Sequence, residues 1–109
     1  MELILHKPDG TEERIAAEGA RLEVGRARDS QVVIADPMLS RRHALLYEDG
    51  EGRWWVEDLG SRNGTWLDGS PVEGPRRLGN GDVIEMGSSR LTVVGLTASG
   101  QERPLIETV

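Results

Sequence analysis

Cysteine and phenylalanine are absent from this 109-residue chain, and lysine occurs once, at Lys7. Without cysteine there is no disulfide and no thiolate nucleophile or ligand, so a reducing compartment is the simplest setting. Aromatic side chains are few (Trp54, Trp55, Trp66 and Tyr47), and the core is expected to be built from Val, Leu and Ile. No apolar run approaches the ~20 residues that a membrane-spanning helix needs. The opening Met1-Glu2-Leu3-Ile4-Leu5-His6 lacks the length and basic start of a signal peptide. A soluble, cytoplasmic protein without membrane insertion is expected. Positive charge is also short: the formal net charge is −6. That balance argues against non-specific nucleic-acid binding, which depends on neutralising phosphates with Lys and Arg. The only histidines, His6 and His43, lie far apart, which speaks against a zinc site. No cofactor is expected.

Glycine, by contrast, is plentiful: fourteen residues, without a Gly-X-Y period, so they read as turn formers. Between the turns run short segments with strand character and no helical period. The strand candidates are residues 2–6, 12–16, 21–24, 32–34, 44–47, 54–57, 65–67, 76–78, 83–86 and 91–94. Pro8-Asp9-Gly10, Asp49-Gly50, Asn63-Gly64, Asp68-Gly69 and Asn80-Gly81-Asp82 punctuate them, as pairs that supply the positive φ of tight hairpins. About ten strands at roughly ten-residue spacing indicate one all-β domain, a sandwich or barrel. Residues 1–96 are expected to form it. Residues 97–109 lose the alternation and contain Pro104, so a flexible tail, or a lead into another domain, is expected there.

Three polar segments follow strand-like runs: Gly25-Arg26, Ser40-Arg41-Arg42-His43 and Ser61-Arg62-Asn63-Gly64-Thr65. A phosphothreonine carries about −1.5 to −2 charge and three acceptor oxygens. Holding it needs a permanent cation with directed donors, supplemented by hydroxyl or backbone N–H groups. Arg26 and Arg41 supply guanidinium groups, Ser40 a hydroxyl, and Asn63 the paired donor and acceptor that suit a peptide main chain. Each residue alone has a plainer reading: a solvated Arg at a strand end, a Ser capping a turn after Pro37, an Asn-Gly hairpin. Turn chemistry does not require the combination in this order. The local cluster Arg26, Arg28, Arg41, Arg42 and Arg62 is expected to give a positive site on an otherwise acidic body.

The chain resembles the forkhead-associated (FHA) domain family between about Leu22 and Val94. The family pattern of Gly-Arg, an apolar strand, Ser-x-x-His, Asp-Leu-x-Ser-x-Asn-Gly-Thr and a late Gly-Asp reads here as five segments in order. They are Gly25-Arg26, Val32-Val33-Ile34, Ser40 to His43, Asp58 to Thr65 and Leu78 to Ile84. The resemblance implies an all-β, eleven-stranded β-sandwich of FHA/SMAD-like type with ligand loops at one end, and a non-enzymatic reader of phosphothreonine peptides downstream of a Ser/Thr kinase. It places Arg26 and Ser40 on the phosphate, with Arg41 assisting and Arg62 close by, and Asn63 on the peptide backbone. His43 is implied to brace the loops, and Gly25, Gly64 and Thr65 to be structural. The resemblance also implies that the loop before Ser40 faces the third residue after the phosphothreonine. Met38 and Leu39 there imply an aliphatic preference over Asp.

Ser40, His43 and Asp58 are the ingredients of a hydrolase triad, but no nucleophile-elbow context or oxyanion hole accompanies them. No P-loop occurs, and Asn63-Gly64-Thr65 matches the glycosylation sequon without any sign of secretion. Two other readings stand beside phosphopeptide recognition. One is a phospho-independent scaffold or oligomerisation module on the same fold. The other is self-recognition through a phosphorylated Thr11, Thr97 or Thr108, and Glu107-Thr108-Val109 weakly resembles a C-terminal peptide ligand. A monomeric domain is expected. The arginine richness, twelve of thirteen basic residues, hints at a bacterial source.

Overall fold

A computed structural model describes residues 1–96. Thr97, Pro104, Thr108 and the closing Glu107-Thr108-Val109 lie outside the described residues.

The strands are β1 (Glu2–His6), β2 (Glu12–Ala16), β3 (Arg21–Gly25), β4 (Val32–Val33), β5 (Ala44–Glu48), β6 (Trp54–Asp58), β7 (Thr65–Leu67), β8 (Ser70–Pro71), β9 (Arg76–Arg77), β10 (Val83–Met86) and β11 (Ser89–Gly95). Six of them form one sheet in the order β2-β1-β11-β10-β7-β8, and five form the other in the order β4-β3-β5-β6-β9. The fold is a β-sandwich. β4 runs parallel to β3, and the other described pairings are antiparallel.

Alternation along the strands sends one row of side chains between the sheets. Leu3 and Leu5, Leu22 and Val24, Ile84 and Met86, and Leu91 and Val93 all turn inward and are buried. Each such side chain contributes roughly 1.5–3 kcal/mol on leaving water. The aliphatic expectation needs one correction: Trp54 is 2% exposed and is the largest fully buried side chain. Its place at the start of β6, facing inward, makes it core despite its polar indole N–H.

The sequence reading missed β8, a two-residue strand paired as Trp66 with Pro71 and Leu67 with Ser70. Proline lacks an N–H, and β8 occupies the outer edge of its sheet, where that donor is not needed. Asp68 (φ 50°) and Gly69 (φ 86°) close the β7–β8 hairpin with two left-handed residues. Two other turn pairs do different work from that expected. Asn63-Gly64 and Asn80-Gly81 do not close hairpins, because β6 to β7 and β9 to β10 pass from one sheet to the other. The β5–β6 hairpin does turn at Asp49-Gly50, but its positive φ falls on Gly52 (79°).

These crossovers bring the β3–β4, β4–β5 and β6–β7 loops and the β10–β11 turn together at one end of the sandwich. Side-chain hydrogen bonds join them. Asn63 and Arg62 bond to the β4–β5 loop, and Asp36 bonds to Ser88 and Ser89 at the β10–β11 turn.

Candidate functional site

The site begins where β3 ends. The Arg26 N–H donates to the Ser40 carbonyl at 3.2 Å and the Ala27 N–H to the Arg41 carbonyl at 3.1 Å, so two loops run side by side. A Cβ on Gly25 would fall on the Arg41 carbonyl, with the carbonyl carbon 2.8 Å away. This approach of backbone to backbone is why position 25 is glycine. Arg26 is aimed by the same contact region, its Nε–H donating to the Leu39 carbonyl at 2.6 Å.

Beneath the loops, His43 is fully buried at the start of the segment that enters β5. Its Nδ1 accepts the Ser40 N–H at 3.1 Å, and its Nε2 lies 2.8 Å from the Gly64 carbonyl. A backbone N–H can only donate and a carbonyl only accept, so the ring proton resides on Nε2. One imidazole thus ties the β4–β5 loop to the β6–β7 loop.

Asp58, the last residue of β6, shapes the β6–β7 loop. Its carboxylate accepts from the Gly60 N–H (3.0 Å), the Ser61 N–H (2.9 Å), the Ser61 hydroxyl (2.6 Å) and the Thr65 hydroxyl (2.6 Å). Burial pushes its pKa up, but these hydrogen bonds outweigh burial and hold it below the usual carboxylate range. Asp36 does the same for the β4–β5 loop. It is 3% exposed and accepts from the Met38 N–H (2.9 Å), the Ser88 N–H (2.8 Å) and the Ser89 hydroxyl (2.8 Å). Here too burial raises the pKa and the hydrogen bonds, led by that from Met38, lower it further.

Above this frame lies an open depression of about 460 Å³, lined by Arg26, Pro37, Met38, Leu39, Ser40, Arg41, Arg62 and Asn63. Seven of the residues singled out in the sequence therefore meet at one surface. Gly25, His43, Gly64 and Thr65 are the framework under it. Gly64, with φ at 89°, sits against the Trp66 ring, where a Cβ would come within 3.1 Å of it.

Two expectations are corrected, and the discounted triad stays discounted. Leu39 is 1% exposed, so its side chain belongs to the core and Met38, 49% exposed, is left to present the apolar surface of that loop. Arg42 does not join the positive cluster. It is bound to Glu23 and to Asp29, the latter at 3.2 Å, and neither Arg42 nor Arg28 lines the depression. Ser40, His43 and Asp58 make no triad: both ring nitrogens of His43 face backbone groups, and Asp58 is occupied by the loop it shapes.

Sequence reasoning passed over Asp36 and Gly87. Asp36 precedes a proline and bonds to the N–H two residues on, a turn signal that was available. Gly87 (φ 57°) carries the β10–β11 turn beneath the β4–β5 loop. A Cβ there would lie 2.8 Å from Leu39 Cδ1 and 2.9 Å from Met38 Cβ, a contact that no local pattern foretells.

What the surface can do follows from the donors left over. Arg26 spends only Nε–H on the protein, so both of its terminal nitrogens face no partner among the described residues. Ser40 Oγ accepts the Arg62 N–H at 2.9 Å, leaving its own hydrogen to donate. Asn63 Nδ2 donates one hydrogen to the Met38 carbonyl at 2.7 Å, leaving a second hydrogen and the amide oxygen. Arg41 and Arg62 have no carboxylate partner among the described residues. Arg26, Ser40 and Asn63 are each fixed by one bond and retain others, an arrangement suited to a compact, multiply charged anion on an extended chain.

Comparison with known proteins agrees with this geometry. Residues 22–87, more than half of the chain, match the FHA domain. The chain is similar to the FHA domain-containing protein FhaB of Mycobacterium tuberculosis, 40% identical over 78 residues that cover 72% of this chain and 50% of FhaB. It is also similar to the glycogen accumulation regulator GarA of Mycolicibacterium smegmatis, 34% identical over 82% of this chain and 55% of GarA. The chain spans about half the length of these curated relatives. Among solved structures, one from a study of phosphothreonine-dependent FHA domain interactions superposes with a TM-score of 0.68. It is 30% identical, and the match covers 96% of this chain and 100% of that one.

Proposed function

The chain belongs to the FHA domain family, and from that membership we propose that residues 1–96 form a phosphothreonine-peptide recognition domain, an interaction module rather than an enzyme. The observation that carries the reading is the depression of about 460 Å³ with three guanidinium groups that have no acidic partner among the described residues. In this reading Arg26 and Ser40 donate to the phosphate oxygens. Arg41 and Arg62 add positive potential and further donors, and Asn63 uses its spare N–H and carbonyl on the peptide main chain. Met38 faces the residue three after the phosphothreonine and favours an aliphatic side chain there. The ligand is a protein phosphorylated on threonine by a Ser/Thr kinase. Three or four charge-assisted hydrogen bonds at roughly 1.5–3 kcal/mol each, offset by ordering the peptide, correspond to an affinity on the order of micromolar.

The test is fluorescence anisotropy with a degenerate phosphothreonine peptide library, beside matched phosphoserine and unphosphorylated libraries. Binding is expected only for phosphothreonine and should weaken at least about tenfold in Arg26→Ala, the loss of one strong charge-assisted contact. Melting temperature should change little, because Arg26 is an exposed side chain. Equal binding to all three libraries, or to none, would instead favour a phosphate-independent scaffold.

A further inference from the structure

The arginine that left the cluster has a consequence for those that remained. The β3–β4 loop, residues 26–31, carries Arg26 on one side and Asp29 three residues later, and Glu23 lies just before it on β3. Both carboxylates lie close enough along the chain to Arg26 to reach it, since three residues span at most about 10 Å. Neither one does. Arg42 bridges them, Nη1 to Glu23 and Nη2 to Asp29 at 3.2 Å. Their pull, Asp29's hydrogen bond foremost, raises the Arg42 pKa still further, so the bridge persists at any physiological pH. The Asp29 side chain is 71% exposed and that of Glu23 29%. Without the bridge, Asp29 above all is free to turn toward a neighbouring guanidinium. The same strand and loop are stapled once more, by Gln31 Oε1 accepting the Glu23 N–H at 2.8 Å.

We propose that Arg42 is a positioning residue for the phosphate site: it sequesters Glu23 and Asp29, which would otherwise compete with phosphate for Arg26 and Arg41. The inference rests on the phosphopeptide reading. An exposed ion pair contributes little to stability, commonly under 1 kcal/mol, so the bridge matters for where charge is held more than for how firmly the chain folds. Adjacent arginines at positions 41 and 42 therefore have opposite tasks: Arg41 lines the site, and Arg42 keeps acid away from it.

The experiment compares phosphothreonine-peptide affinity in wild type, Arg42→Ala, Arg42→Lys, Asp29→Asn and the double variant Arg42→Ala/Asp29→Asn, with melting temperatures alongside. Arg42→Ala should bind about three- to tenfold more weakly, and less so in high salt, which screens a freed carboxylate. Arg42→Lys keeps the charge but not the two-pronged bridge, and should fall between wild type and Arg42→Ala. Asp29→Asn alone should bind as wild type does, and in the double variant it should recover most of the loss. A purely structural arginine would give a loss that Asp29→Asn does not rescue, and that outcome overturns the inference, as does unchanged binding in Arg42→Ala. If wild type binds no phosphopeptide, the failure lies with the phosphopeptide reading itself.

Discussion

At the scale of single residues, Arg26, Ser40 and Asn63 each spend part of their hydrogen-bonding capacity on being held and keep part unspent. Arg26 and Asn63 show the division best, each fixed by one bond to a carbonyl of the β4–β5 loop. Glycine has the complementary task of letting backbones meet. Gly25→Ala would press a methyl group into the Arg41 carbonyl, and is expected to cost about 2 kcal/mol or more, in the range of overpacked sites. Gly50→Ala is its control, since a Cβ there meets nothing within 4 Å, and it should change stability by less than about 0.5 kcal/mol. Chemical denaturation of both variants checks the contrast, and comparable losses would mean that the Gly25 packing argument is wrong. The residues of the site were largely legible in the chain because they are local words, Gly-Arg, Ser-x-x-His and Ser-x-Asn-Gly-Thr. The inward turn of Leu39 was not, because burial of a loop side chain depends on what lies below it, here the glycine of a distant turn.

At the scale of elements, loops are normally the least ordered part of a sandwich, and here two carboxylates, Asp36 buried and Asp58 partly so, organise them. Asp58 builds the β6–β7 loop from within, and Asp36 ties the β4–β5 loop to the β10–β11 turn. Both have pKa values lowered by folding. A lowered folded-state pKa means that the stabilisation is complete above the unfolded value, near 3.9, and is lost as pH falls through the folded value. Asp9, exposed, and Asp49, partly buried, are lowered as well and add to the same acid limb. Melting temperature should therefore be nearly flat from pH 7 to about 5 and decline below about pH 4. Asp58→Asn should lower it at neutral pH and flatten part of that decline. An acid limb of undiminished slope in the variant would remove Asp58 from the account. Strand positions were readable from alternation and turn residues, and ten of the eleven strands were found within a few residues. Which turns close hairpins and which cross between sheets was not readable, since Asn-Gly supplies the same positive φ to both.

At the scale of the whole molecule, the two sheets share one core and one binding end, so the domain should behave as a single cooperative unit. A chain limited to residues 1–96 is expected to melt within about 2 °C of the full chain and to bind phosphopeptide equally, since the matched segment and the site lie inside it. Calorimetry and anisotropy on the shortened chain decide this, and a large drop in either would assign the tail a part in the fold. The contact of Asp36 with Ser88 and Ser89 spans more than fifty residues of sequence, and β1, paired on one side with the neighbouring β2, meets its other partner only when β11 arrives. During synthesis, then, the arginines emerge long before the surface they serve. A nascent chain that has passed Asn63 but is halted short of β11 carries every side chain that lines the depression, and in the proposed reading it should not yet bind phosphate. In that reading, recognition waits on the arrival of the final strand.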